Sequence, residues 1–237
     1  MAVPSPLGTR QTVAALLTLT VVTGLVDAVS YLRLGHVFVA NMTGNVVFLG
    51  FSADPHSGLS AAASVIAVAG FVLGALAGGR LAHAFATALP RRWLVTALTG
   101  EAIVIGLVAV LTATTMLPFT GHGSFATIAI LAFALGIQNS TVRHLGVPDL
   151  TTTVLTLTLT GLAADSALAH GTGAKPHRRL GSIAAMLAGA AAGAAILQWS
   201  PPAALAIAAL LVAAVATAFA TAHRSAGDEA DPAHPDR

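Results

Sequence analysis

Gln11–Leu32 reads QTVAALLTLTVVTGLVDAVSYL, an apolar run broken by a single charged residue, Asp27. Its length exceeds the roughly 18 residues that mark a membrane-crossing helix. Seven further apolar segments follow, at about Val37–Ala53, Leu59–Phe85, Trp93–Met116, Phe125–Leu145, Leu150–Ala169, Leu180–Trp199 and Ala203–His223. Polar or Pro/Gly-containing strings separate most of them, among them Asp54-Pro55-His56-Ser57-Gly58, Pro90-Arg91-Arg92 and Ser200-Pro201-Pro202. The pattern predicts an all-α fold, a polytopic transmembrane helical bundle.

Composition agrees. Of 237 residues, 56% are hydrophobic and 8% charged, against about 25% charged in ordinary soluble domains. A mean hydropathy of +0.84 leaves too little polar surface to cover a water-soluble particle. The isoelectric point of 9.9 could suggest nucleic acid. The eleven Lys and Arg are instead scattered over short loops and form no basic face, so no nucleic-acid partner is expected. Absence of cysteine excludes disulfides, thiolate metal sites and a cysteine nucleophile. The histidines show neither His-x-x-x-His nor His-Glu-x-x-His spacing, and phosphate-loop and Gly-x-Ser-x-Gly strings are missing. No cofactor, metal site or enzymatic activity is therefore expected.

Charge decides how the segments cross. Cytoplasmic loops are enriched in Lys and Arg. If all eight segments span and the N-terminus is cytoplasmic, Arg10, Lys175, Arg178, Arg179, Arg224 and Arg237 lie inside and Arg33, Arg80, Arg91, Arg92 and Arg143 outside, which is no bias. If the second and sixth segments enter and return on one side, only Arg33 lies outside. The expectation is six full spans plus two discontinuous or re-entrant segments, in a bacterial inner membrane, with both termini cytoplasmic. The first span reads as retained rather than as a cleaved signal, and 225–237 as a disordered tail.

The two halves resemble each other. Gly24-Leu25-Val26-Asp27, Leu34-Gly35 and Asn41-Met42-Thr43-Gly44-Asn45 align with Gly136-Ile137-Gln138-Asn139, Leu145-Gly146 and Asp149 with Thr151-Thr152-Thr153. Gly74 and Gly78 match Gly189 and Gly193, both small-xxx-small pairs that allow close helix approach. The division is a cytoplasmic segment 1–10, a first membrane repeat 11–116, a second 117–224 and the tail 225–237. Three crossings per unit is odd, which makes the two units inverted repeats, an architecture that recurs in transporters.

Asp27-Ala28-Val29-Ser30-Tyr31-Leu32, Val39-Ala40-Asn41-Met42-Thr43-Gly44-Asn45, Gly136-Ile137-Gln138-Asn139 and Val147-Pro148-Asp149-Leu150-Thr151-Thr152-Thr153 resemble the YoaK-like family of bacterial integral membrane proteins. The resemblance covers nearly the whole chain. It implies an inner-membrane protein with about six spans and brings no substrate or reaction.

Intramembrane polar residues are costly and mark candidate sites. Asp27 reads either as a carboxylate hydrogen-bonded to Ser30 or Tyr31 or as a proton- or ion-coupling group. Asn41 and Thr43 read as N-caps of the second segment, with Gly44 permitting close approach; Asp149, with Thr152 and Thr153, is their counterpart in the sixth. If both helices start inside the membrane from opposite sides, their positive ends share a cavity suited to a small polar or anionic solute. Asn41, Thr43, Gly44, Asn45, Gln138, Asn139, Asp149, Thr152 and Thr153 are the candidate binding residues. Gln138 and Asn139 also read as interhelical hydrogen-bonding groups. Glu101 is a second coupling candidate, or pairs with Arg80; Arg33 attracts an anion or caps the first span. The leading functional expectation is a small secondary transporter or permease with a midplane site between the broken segments. A membrane scaffold or accessory subunit is the alternative, and an intramembrane enzyme on a lipid-linked substrate the third. Expected partners are membrane lipids and the solute, with homodimerisation through the Gly-rich segments an alternative to packing within one chain.

Overall fold

The computed structural model describes residues 3–86, 88–121, 123–146, 155–166, 170 and 176–222. Their regular elements are eight helices: α1 (Thr9–Arg33), α2 (Met42–Phe51), α3 (Ala61–Phe85), α4 (Pro90–Ala113), α5 (Ser124–Leu145), α6 (Leu155–Ala164), α7 (Pro176–Ile196) and α8 (Pro201–Thr221). Six are long and apolar enough to cross a membrane, and α2 and α6, ten residues each, are not. The chain is thus an all-helical polytopic bundle.

Several helices begin earlier than the apolar pattern predicts. Pro90 and Pro201 lie in the first turn of α4 and α8, where a missing N–H costs nothing and the fixed φ suits the helix. Reading them as breaks places the starts a few residues late. The basic residues His177, Arg178 and Arg179 belong to the first turn of α7. Ser60 and Ser200 cap α3 and α8, accepting from the N–H groups of Ala63 and Ala203. Left-handed Gly146 ends α5.

The packing is crossed between the two halves of the sequence. α1 pairs with α7, α3 with α5, and α4 with α8. A Cβ placed on Gly74 of α3 would strike the Phe133 carbonyl of α5, and one on Gly189 of α7 the Val21 carbonyl of α1. Reciprocally, Gly136 of α5 lies against the Phe71 carbonyl and Gly24 of α1 against that of Met186. The glycines at matching spacing therefore make the same contact in the two pairs. Both pairs run parallel: Gly70, Gly74 and Gly78 meet Ala129, Phe133 and Ile137 in order, as Gly189 and Gly193 meet Val21 and Leu25.

Helix direction decides the topology. The Val3 N–H donates to the His144 carbonyl at 2.9 Å, so α1 starts where α5 ends. The indole of Trp93 meets the His144 ring edge to face, centroids 6.1 Å apart, so α4 starts there too. At the other end, Arg33 donates to the Leu197 carbonyl just beyond α7 at 2.9 Å. Hence α1, α4 and α7 run away from the N-terminal face, and α3, α5 and α8 run back to it. Segment two leaves α1 and joins α3 at the far face, whereas the link through α6 leaves α5 and joins α7 at the N-terminal face. Neither crosses, as the charge distribution predicts.

Of the six long helices, α1 and α5 are the most buried and form the centre. The outer helices expose large apolar side chains, including Leu73 and Leu76 of α3, Ile103 and Leu107 of α4, Leu187 of α7 and Leu210 of α8, as lipid contact requires.

Candidate functional site

The end of α1 and the start of α2 form one locked unit. After α1 the chain reverses through Gly35 and His36, with φ of +102° and 58°. It then descends along α1 as a non-helical stretch, Val37–Asn41, before α2 climbs back. Asp27 holds the descent: one carboxylate oxygen accepts from the N–H groups of Val39 and Ala40, each at 2.9 Å. Asp27 is buried. It lies six residues before the end of α1, so the tip of segment two reaches about 9 Å below that end, nearer the far face than the middle of the bundle.

Asn45 secures the same stretch from α2. Its Oδ1 accepts from the Phe38 N–H at 2.9 Å and its Nδ2 donates to the Phe38 carbonyl at 2.6 Å. The fully buried amide thereby satisfies a peptide that would otherwise sit unpaired in an apolar setting. A Cβ on Gly44 would lie 2.7 Å from the Phe38 ring, so glycine here seats that ring. Phe38 stacks on Tyr31 and Phe48, with centroids 5.1 and 5.6 Å away.

Several expectations change. Ser30 donates to the backbone carbonyl of Asp27, not to its carboxylate; the carboxylate's partners are backbone groups of segment two. Asn41 occupies the N-cap position of α2 without a side-chain cap bond, and Thr43 is exposed. The N–H groups of Val39 and Ala40, leading into α2, face Asp27, so a carboxyl of the chain itself already occupies the position assigned to a solute. Backbone donors carry no sequence signal, which is why this pairing escapes the residue pattern.

In α5, Gln138 is fully buried and its Nε2 donates to Thr23 Oγ1 of α1 at 3.0 Å. Its Oε1 has no hydrogen-bond partner among the described residues. Asn139 is half-buried, and its Nδ2 donates to the Leu135 carbonyl at 2.9 Å. Asp149, Thr152 and Thr153 lie outside the described residues, so the second half of the predicted site is not placed. Thr23, a threonine inside an apolar span, is the contact residue the sequence reading passes over.

Glu101 stands apart. It is 1% exposed, and neither carboxylate oxygen has a hydrogen-bond partner among the described residues. It lies about 16 Å from the start of α4 and about 18 Å from its end, at mid-height. The expected pairing with Arg80 is absent among the described residues, whose ion pairs are His56–Asp54 and Arg179–Asp165. Arg33 caps the end of α7 rather than α1. No group of three or more His, Asp or Glu side chains is placed to hold a metal among the described residues.

Six apolar spans with a re-entrant second segment define a multi-pass membrane protein. Residues 15–218 match the family described as "Protein of unknown function (DUF1275)", and the chain belongs to that family. It is 33% identical over 160 residues to the "UPF0700 transmembrane protein YoaK" of Bacillus subtilis (strain 168), covering 66% of this chain and 67% of that one. No solved structure matches.

Proposed function

We propose that the chain is a small secondary transporter or permease for a small polar or anionic solute, built as two inverted-topology repeats. The observation that carries this reading is the crossed packing. Each parallel pair, α1 with α7 and α3 with α5, takes one helix from each half of the sequence, and the two pairs run in opposite directions. Rocking of one such pair against the other is how inverted repeats alternate access. Glu101 is the coupling carboxyl in this reading, because it lies at mid-height with both oxygens unengaged among the described residues, whereas Asp27 anchors segment two. The N-terminal face is cytoplasmic: Arg10, Arg80, Arg91, Arg92, Arg143, Arg178 and Arg179 lie toward it and Arg33 toward the other. The membrane is then the bacterial inner membrane.

The test is flux into vesicles carrying the purified chain, with pooled small polar and anionic solutes under an imposed proton gradient. At least one pool should show uptake above empty vesicles, lost in Glu101→Gln. Absence of uptake from every pool with folded protein would contradict the proposal. That outcome would favour the second reading, a membrane scaffold or accessory subunit, which fits one specific fact: Asp27 of the chain itself takes the N–H groups of Val39 and Ala40 at the head of segment two.

A further inference from the structure

The N-terminal face holds a large open cavity, about 1730 Å3, between the start of α1, the start of α4 and the last turns of α8. Sites for compact ligands occupy roughly 300–1,000 Å3, so this space suits something larger. Its chemistry is graded. Arg91 and Arg92 stand at one end, while Ala14 and Ala15 of α1 and Leu211 and Val215 of α8 form apolar walls. The cavity follows α1 as far as Thr18, about 15 Å from Gly8. Ser5 at its rim is held by Thr12, whose Oγ1 donates to Ser5 Oγ at 2.7 Å.

Both arginines are exposed, and neither makes an ion pair or side-chain hydrogen bond among the described residues. They also occupy the first turn of α4, where the helix dipole is itself positive and favours acidic residues. Leu89, before them, supplies no side-chain cap. Two cations and a helix N-terminus therefore converge on the polar end of an apolar cleft, with no anionic partner among the described residues. The contrast with segment two, where Asp27 answers the backbone donors, is direct.

We propose that this cavity binds a phospholipid with a net anionic phosphate headgroup, the phosphate on Arg91 and Arg92 and the acyl chains between α1 and α8. Basic pockets between transmembrane helices hold anionic headgroups in this way. The site stands whether or not the chain transports anything.

The test uses the purified full chain in detergent, titrated with dioleoyl phosphatidylglycerol, dioleoyl phosphatidylcholine and inorganic phosphate, with bound lipid counted by native mass spectrometry. Phosphatidylglycerol should bind at least tenfold more tightly than phosphatidylcholine. Arg91→Gln with Arg92→Gln should weaken the anionic lipid about thirtyfold, about fivefold for each arginine, and leave phosphatidylcholine unchanged; Arg91→Lys with Arg92→Lys should keep the preference. Ala218→Trp, which fills the cleft, should weaken lipid binding in the otherwise native chain. Equal binding of the two lipids, or a preference that survives in the glutamine variant, would overturn the proposal. Displacement of phosphatidylglycerol by an equal concentration of inorganic phosphate would overturn it too, since the site would then take free anions.

Discussion

Asp27 and Asn139 occupy the same place in the two halves of the chain, each three residues after a glycine that touches a partner helix's carbonyl. The glycine contacts beside them correspond: Gly24 and Gly136 meet the carbonyls of Met186 and Phe71, each three residues before a glycine, Gly189 or Gly74, that packs in the same pair. The side chains differ. Asp27 is an ionisable group clasping two backbone donors of segment two, and Asn139 is a neutral amide, half-buried, that bonds back to Leu135. The backbone contacts of the two pairs tolerate no Cβ, while the polar side chains beside them differ. The molecule is symmetric in packing and asymmetric in charge.

That comparison can be broken from the side of charge first. Asp27→Ala should destabilise by about 2–6 kcal/mol, because two buried N–H groups lose their acceptor and each orphan costs about 1–3 kcal/mol. Asp27→Asn keeps an acceptor and should recover most of the loss. Asn139→Ala should cost about 0.5–1.5 kcal/mol for its bond to Leu135. Unfolding midpoints in mixed micelles measure all three, and equal losses at the two positions would erase the asymmetry. The packing side is sharpened by Gly74→Leu and Gly189→Leu. Each forces a side chain onto a helix backbone, and overpacking costs about 1–3 kcal/mol or more, so their losses should match; a loss at one position only would end the equivalence of the pairs. Asn45→Ala, which frees the Phe38 peptide, should cost about 1–3 kcal/mol and leave the far-face contact of Arg33 with Leu197 in place. The smallest effect belongs to Glu101→Leu, which should be neutral or stabilising, because it removes a buried carboxyl with no partner among the described residues. A large destabilisation there would mean that Glu101 is tied into the structure.

Much of the architecture was legible in the chain. The apolar runs mark the spans, and the placement of Arg33 against the other cations separates crossing segments from returning ones. Glycine spacing in Gly74/Gly78 and Gly189/Gly193 marks the close helix contacts. Partner choice was not legible: the same spacing would serve helices packed within one repeat, and only the three-dimensional arrangement sends α1 to α7. The clasp was half legible. Asn45, Gly44 and Asp27 are visible as polar or small residues in apolar surroundings, but their partners are peptide groups of Phe38, Val39 and Ala40, which any sequence would supply. The cavity beside Arg91 and Arg92 was hidden for another reason, since Pro90-Arg91-Arg92 reads as punctuation and is in fact the first turn of α4.

The central claim is that segment two returns to the face it enters from. Because the chain contains no cysteine, single cysteines at His36, Ser57, Thr120 and Ala88 can be read with a membrane-impermeant maleimide on oriented vesicles. The account predicts that the cysteines at His36, Ser57 and Thr120 label from one side and the one at Ala88 from the other. Labelling of the His36 and Ser57 positions from opposite sides would contradict it.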